Sequence, residues 1–117
     1  MPPKRGDVFW AQLDPVQGSE QGGRRPVLII SRDSINQNLP NVIVLPLSSS
    51  PARLAKPYPS QLLVHARELG MNGDGVVLGE QIRTISQARL DRYISHLPDT
   101  IMQKVDELLK VVLALKN

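Results

Sequence analysis

Residues able to do chemistry are few in this sequence, and they concentrate in two stretches. Gly18-Ser19-Glu20-Gln21-Gly22-Gly23-Arg24-Arg25-Pro26 sets a carboxylate and two guanidiniums among glycines, and Ser48-Ser49-Ser50 follows an apolar run. None of the 117 residues is a cysteine. A thiolate nucleophile, thiolate metal ligands and disulfides are therefore excluded. The two histidines, His65 and His96, sit in no ligand motif and read as structural or surface residues. No Walker-type loop, dinucleotide fingerprint or Gly-x-Ser-x-Gly elbow occurs. Neither a metal nor a cofactor is expected.

Cleavage of an RNA phosphodiester suits so sparse a set. The substrate's own 2′-hydroxyl can attack the adjacent phosphorus, so the protein need supply no nucleophile. It must hold the 2′-oxygen, phosphorus and leaving oxygen in line. It must also stabilise the charge that grows on the phosphoryl oxygens. Arg25 fits the second demand, because a guanidinium grips phosphate through two parallel hydrogen bonds. It holds its proton too tightly to serve as a general acid. Glu20 could accept the 2′-proton, and Ser48 could donate to a phosphate oxygen. On residue chemistry alone, the same residues also fit an ordinary glycine-rich loop and a strand cap.

These groups need a scaffold, and the hydrophobic pattern supplies one. Residues 7–13 have strand character and stop at Asp14-Pro15. Residues 16–24 read as an exposed, mobile loop. Residues 26–31 and 42–47 are continuous aliphatic runs, as in buried strands, with Pro46 pointing to an edge or a bulge. Between them, residues 32–40 suit a short helix or a turn. This arrangement puts Arg25 where the loop enters one buried strand and Ser48 at the end of the other. Short strands follow at 61–64, 76–78 and 81–85, with Asn72-Gly73-Asp74-Gly75 as a turn and Gly79-Glu80 as a bulge. Tyr93-Ile94 suits a last short strand.

From Pro98 the period becomes helical. Ile101, Val105, Leu108, Val112 and Leu115 form one stripe, and Pro98 and Asp99 suit its start. Val111 to Leu115 is apolar nearly all round, which fits either a second subunit or a deeply buried terminal helix. The fold class is therefore mainly β (α+β), a small barrel with a C-terminal α-helix, in a single domain over residues 1–117. Trp10 reads as a core residue. No stretch reads as a secretory signal or a membrane span, so a cytoplasmic location without membrane contact is expected.

The net charge of +3 arises from 14 basic and 11 acidic residues. Acids and lysines cancel from Asp99 onward, so the excess lies before it and is mostly arginine. That favours phosphate partners and is equally compatible with an ordinary basic surface.

Lys4-Arg5-Gly6-Asp7-Val8, Gly18 to Gly23, Arg25-Pro26-Val27-Leu28-Ile29-Ile30 and Glu80-Gln81-Ile82-Arg83-Thr84-Ile85 together resemble the MazF/PemK toxins of bacterial toxin–antitoxin systems. The resemblance runs from about Lys4 into the C-terminal helix. It implies an SH3-like barrel and a homodimer that cuts single-stranded RNA, including mRNA, at short sequences without a metal. It implies a cognate antitoxin that blocks the RNA channel, and DNA binding by the toxin–antitoxin complex. By motif position Arg25 corresponds to the family's catalytic arginine, and Glu20 to a glutamate implicated in some members. Ser48 stands where close relatives carry a catalytic threonine, and Ser49 could serve instead. Arg24 is then a phosphate contact. Gln21, Ser49, Arg53, Lys56, Gln81 and Arg83 are expected along the RNA. The alternatives are a barrel that binds RNA or protein without cutting, and a gyrase-directed toxin of the same fold.

Overall fold

The computed structural model describes residues 1–15, 17–18 and 20–116. Val16, Ser19 and Asn117 fall outside them, Ser19 being part of the glycine-rich motif. Seven strands form one antiparallel, barrel-like sheet: β1 (Asp7–Gln12), β2 (Arg24–Ile29), β3 (Asn41–Ser48), β4 (Gln61–Val64), β5 (Gly75–Leu78), β6 (Arg83–Ser86) and β7 (Leu90–His96). Their order is β4-β5-β3-β2-β1-β7, with β6 also on β3. Short helices α1 (Asp33–Asn38), α2 (Pro51–Ala55) and α3 (Ala66–Leu69) fill connections, and α4 (Asp99–Leu113) closes the chain.

The continuous apolar runs of β2 and β3 have a simple cause: both faces of these strands are covered. Leu28, Leu45 and Leu47 pack with Ile101, Met102 and Val105 of α4. Val27, Ile29, Val42 and Val44 face the other way, into a second cluster with Ala11, Leu13 and Ile85. A strand buried on both faces loses the polar alternation of a half-exposed one.

Strand β3 is the hub. It pairs with β2 on one side, and on the other with β6 through Val44 and with β5 from Leu47. Pro46 is therefore neither on an edge strand nor in a bulge. The Ile43 carbonyl accepts from Ile30 on the β2 side. Backbone groups alternate along a strand, so Pro46 turns its nitrogen the opposite way, into the break between β6 and β5. The missing N–H costs no ladder bond there.

Other boundaries shift as well. Gly79-Glu80 is a turn rather than a bulge, and β6 begins at Arg83, leaving Gln81 and Ile82 outside it. Strand β7 extends well beyond Tyr93-Ile94 because it pairs with the length of β1, with register shifts at Val8/Phe9 and Trp10/Ala11. Such irregularities increase local twist and help a sheet to curl.

Helix α4 buries Ile101, Met102, Val105 and Leu108. Its end is not buried in this chain: Val111, Leu113 and Leu115 are exposed. No helix among the described residues is long and apolar enough to cross a membrane.

The Lys4-Arg5-Gly6-Asp7 motif is a brace. Arg5 bonds the Ile30 carbonyl at 2.9 Å through Nε and Asp106 of α4 at 2.6 Å through Nη2. The Asp7 carboxylate lies 2.7 Å from His96 Nδ1 and accepts from the Lys4 N–H at 2.8 Å. Gly6, at φ +99°, lies against the His96 ring, whose Cε1 would be 3.0 Å from an added Cβ. A side chain there would meet both backbone strain and the ring.

Candidate active site

The loop between β1 and β2 is tied at its base. Leu13 donates to the Gly23 carbonyl at 2.9 Å, and the Gly23 N–H donates to Asp14 Oδ1 at 2.9 Å. Further out, the Gln21 N–H donates to Gln81 Oε1 at 2.9 Å, which fastens the loop to the β5–β6 turn. These bonds hold the loop so that it presents its side chains against a fixed sheet.

Arg25 and Ser48 meet through strand register. The β2–β3 ladder pairs Ile29 with Val44, Leu28 with Leu45 and Val27 with Pro46. Continued by two residues, that register sets Arg25 opposite Ser48 on the sheet face of Val27 and Ile29. Both line one cleft of ≈ 240 Å³, with Trp10, Arg24, Ser49, Met71 and Asp74. Arg25 Nε donates to the Gly22 carbonyl at 2.7 Å, which fixes the guanidinium plane. Its remaining N–H groups are left for an anion. Ser48 is only 5% exposed, and its Oγ accepts from the Ser50 N–H at 3.1 Å. The hydroxyl hydrogen can still be donated.

Arg24 is otherwise engaged. Its Nε pairs with Asp91 at 2.7 Å, and its guanidinium lies 4.6 Å from the Trp10 ring centroid. Trp10 is therefore a half-buried wall of the cleft rather than a core residue. Ser49 is exposed in the same cleft, so the two serines differ in depth.

Glu20 is not brought to Arg25 and Ser48. Its carboxylate accepts from the Gln17 N–H at 2.9 Å. It lines a different cleft, with Gln21, Glu80, Gln81 and Arg83. Arg83 reaches the Pro15 carbonyl at 3.4 Å, and its Nη1 is buried without a partner.

A third cleft joins the other two, because Ser48 borders it together with Gln21, Arg53, Tyr58, Gln61, Glu80 and Gln81. The Arg53 guanidinium lies 3.8 Å from the Tyr58 ring centroid, and its Nη1 is buried without a partner. Gln61 is buried and bridges the Tyr58 N–H at 3.0 Å and Glu80 Oε2 at 3.0 Å. Lys56 is exposed beyond α2 and borders none of the three clefts.

The sequence reading missed Trp10, Asp74, Tyr58, Gln61 and Glu80 as cleft residues. A signal existed for Glu80, which opens the Glu80–Ile85 motif. Trp10 pairs with Pro26 across the β1–β2 ladder, which no local pattern reveals. Among the described residues, no group of three or more His, Asp or Glu side chains could hold a metal ion.

The geometry has counterparts in known proteins. Residues 4–113 match the family described as PemK-like, MazF-like toxin of type II toxin-antitoxin system. Over 112 residues the chain is 48% identical to endoribonuclease EndoA of Bacillus subtilis (strain 168), covering 96% of this chain and 95% of that protein. It superposes on MazF from Deinococcus radiodurans with a TM-score of 0.82 at 30% identity, covering 97% and 98% of the two chains. A MazE–MazF structure from the same organism gives 0.78 at 27% identity, covering 99% and 100%.

Proposed function

The chain belongs to the PemK-like, MazF-like family of endoribonuclease toxins, and from that premise we propose that it cleaves single-stranded RNA in the cleft shared by Arg25 and Ser48. The observation that carries this reading is the register of β2 and β3, which sets a guanidinium and a hydroxyl against one space.

In this reading the scissile phosphate enters between them. The 2′-oxygen attacks phosphorus, the bond to the 5′-oxygen breaks, and a 2′,3′-cyclic phosphate forms. Arg25 neutralises charge on the phosphoryl oxygens, and Ser48 donates to one of them. Removing a single donor of this kind costs about 10²–10³ in rate. Arg24 is a phosphate contact beside them. Gln21, Gln81, Arg83 and Arg53 line the adjoining clefts, where flanking nucleotides would lie. Lys56 would contribute only long-range attraction. Glu20 acts as a gate on the loop.

A cognate antitoxin is the expected protein partner, as in the MazE–MazF structures of Deinococcus radiodurans. The exposed Val111, Leu113 and Leu115 suit a homodimer contact. The cytoplasm, where RNA is accessible, is the expected location.

The test is incubation with a long mixed-sequence RNA in EDTA, beside Arg25→Ala. Discrete fragments from the native protein alone, carrying cyclic phosphate ends, are expected. Intact RNA in both samples, with the protein shown to be folded, would sink the reading.

A further inference from the structure

Cleavage by 2′-attack needs a group to take the 2′-proton, and that group must reach the cleft that holds Arg25 and Ser48. The carboxylate singled out by motif, Glu20, borders a different cleft and is turned onto the Gln17 N–H. Among the described residues that line the Arg25–Ser48 cleft, one carries a carboxylate: Asp74. We propose that Asp74 is the general base of the reaction, an inference that rests on the cleavage site proposed above.

The geometry of Asp74 suits the task. Its Oδ1 accepts from the Ala66 N–H at 2.7 Å, which fixes the carboxylate plane at the start of α3. Its Oδ2 lies 3.6 Å from His65 Nδ1, beyond hydrogen-bond length, so that oxygen is free to accept. One oxygen thus anchors the group, and the other has no hydrogen-bond partner among the described residues. The residue follows Asn72-Gly73 and precedes Gly75, whose backbone begins β5. Since Ser48 pairs with Val76 in the β3–β5 ladder, Asp74 is held two residues from Ser48's own partner.

The atoms balance as follows. The 2′-hydroxyl gives its proton to Asp74 Oδ2, the new bond joins the 2′-oxygen to phosphorus, and the bond to the 5′-oxygen breaks. The 5′-oxygen takes a proton from solvent, and Asp74 returns its own to solvent. The charged groups around Asp74 are His65, at 3.6 Å, and the Arg24 and Arg25 guanidiniums that line the same cleft.

The experiment follows cleavage of a mixed-sequence RNA from pH 4 to 9 by native protein, Asp74→Asn, Asp74→Glu, Asp74→Ser, Glu20→Gln and Arg25→Ala. Asparagine keeps the acceptor for the Ala66 N–H but cannot take a proton. Asp74→Asn should lower kcat by about 10²-fold or more with little change in KM, and should abolish the acid limb of the rate profile. Glu20→Gln should keep that limb. Asp74→Glu keeps a carboxylate at this position and should cleave faster than Asp74→Ser, which keeps none. A profile retained in Asp74→Asn, or lost in Glu20→Gln, overturns the proposal. Should Asp74→Asn fail to fold, the Asp74→Glu and Asp74→Ser pair decides: equal cleavage rates overturn the proposal. If Arg25→Ala cleaves like the native protein, the cleavage site itself is misplaced, which is a different failure.

Discussion

Arg25 and Ser48 line one cleft, each two residues beyond the last paired rung of β2 and β3, Val27 and Pro46. The ladder ends where the cleft begins, so pairing positions the two side chains without occupying their polar groups. Ser48→Thr keeps the hydroxyl and narrows its rotamers, so cleavage should stay within about threefold of native. Ser48→Ala should cost about 10²-fold if the donor acts on the transition state. Arg25→Lys should cost at least as much, because an ammonium cannot bond Gly22 and grip a phosphate as a planar fork does. Rates on a mixed-sequence RNA check all three, with thermal melts to show that folding is unchanged.

Arg24 differs from its neighbour in what surrounds it. Its ion pair with Asp91 is half exposed, and its guanidinium rests on Trp10. Exposed pairs contribute at most about 1 kcal/mol, so Arg24→Ala should barely move the melting temperature. If Arg24 binds one phosphate of a single strand, the slope of log affinity against log salt should shrink by about 0.7. Titration of RNA at several salt concentrations, using Ser48→Ala to suppress cutting, measures that slope. An unchanged slope would remove Arg24 from the RNA path.

The strands of the barrel were legible because burial imposes a pattern on sequence, and the β2 and β3 runs carry it on both faces. Pro46 misled because a proline near a strand end signals an edge only when its nitrogen would face a partner. Here β6 and β5 leave that place empty. Arg25 and Ser48 were legible because each sits at the mouth of a readable strand. Asp74 was not, since a turn motif explains Asn72-Gly73-Asp74-Gly75 completely at the sequence level. Its place in the cleft depends on β5 pairing with β3, a contact made across almost thirty residues. Glu20 shows the converse. Proximity in sequence to Arg25 did not become proximity in space, because the loop folds its carboxylate back on Gln17.

Gln81 holds the loop through one bond, from the Gln21 N–H to Oε1. Gln81→Ala should release it, raising KM for RNA by about tenfold, as expected for a lost charge-free contact of ~1.4 kcal/mol at the upper end of single hydrogen bonds. Gln81→Glu keeps an acceptor and adds a negative charge. It should retain slow hydrogen exchange at Gln21 while binding RNA less well. Exchange measured at that amide separates the two effects. Equal exchange in all three proteins would show that the tether does not hold in solution.

Gly79 links the scaffold of the site to α4. An added Cβ would lie 2.5 Å from the Ser60 carbonyl oxygen and 2.8 Å from Leu108 Cδ2. The oxygen cannot withdraw easily, because it accepts from the Gly79 N–H at 3.0 Å. Leu108 is buried on α4 and has little room to turn. Gly79→Ala should therefore destabilise the protein by about 1–3 kcal/mol, the range for overpacking a close-packed interior. Gly79 also precedes Glu80 and Gln81, so the strain should spread to the turn that fastens the Gln21 loop. Chemical denaturation of Gly79→Ala beside Gly73→Ala separates close packing from the general cost of losing a glycine, because nothing lies within 4 Å of an added Cβ at Gly73. Gly73→Ala should be nearly neutral. Equal losses in both would mean that the approach of Leu108 to the turn is not what holds α4 in place.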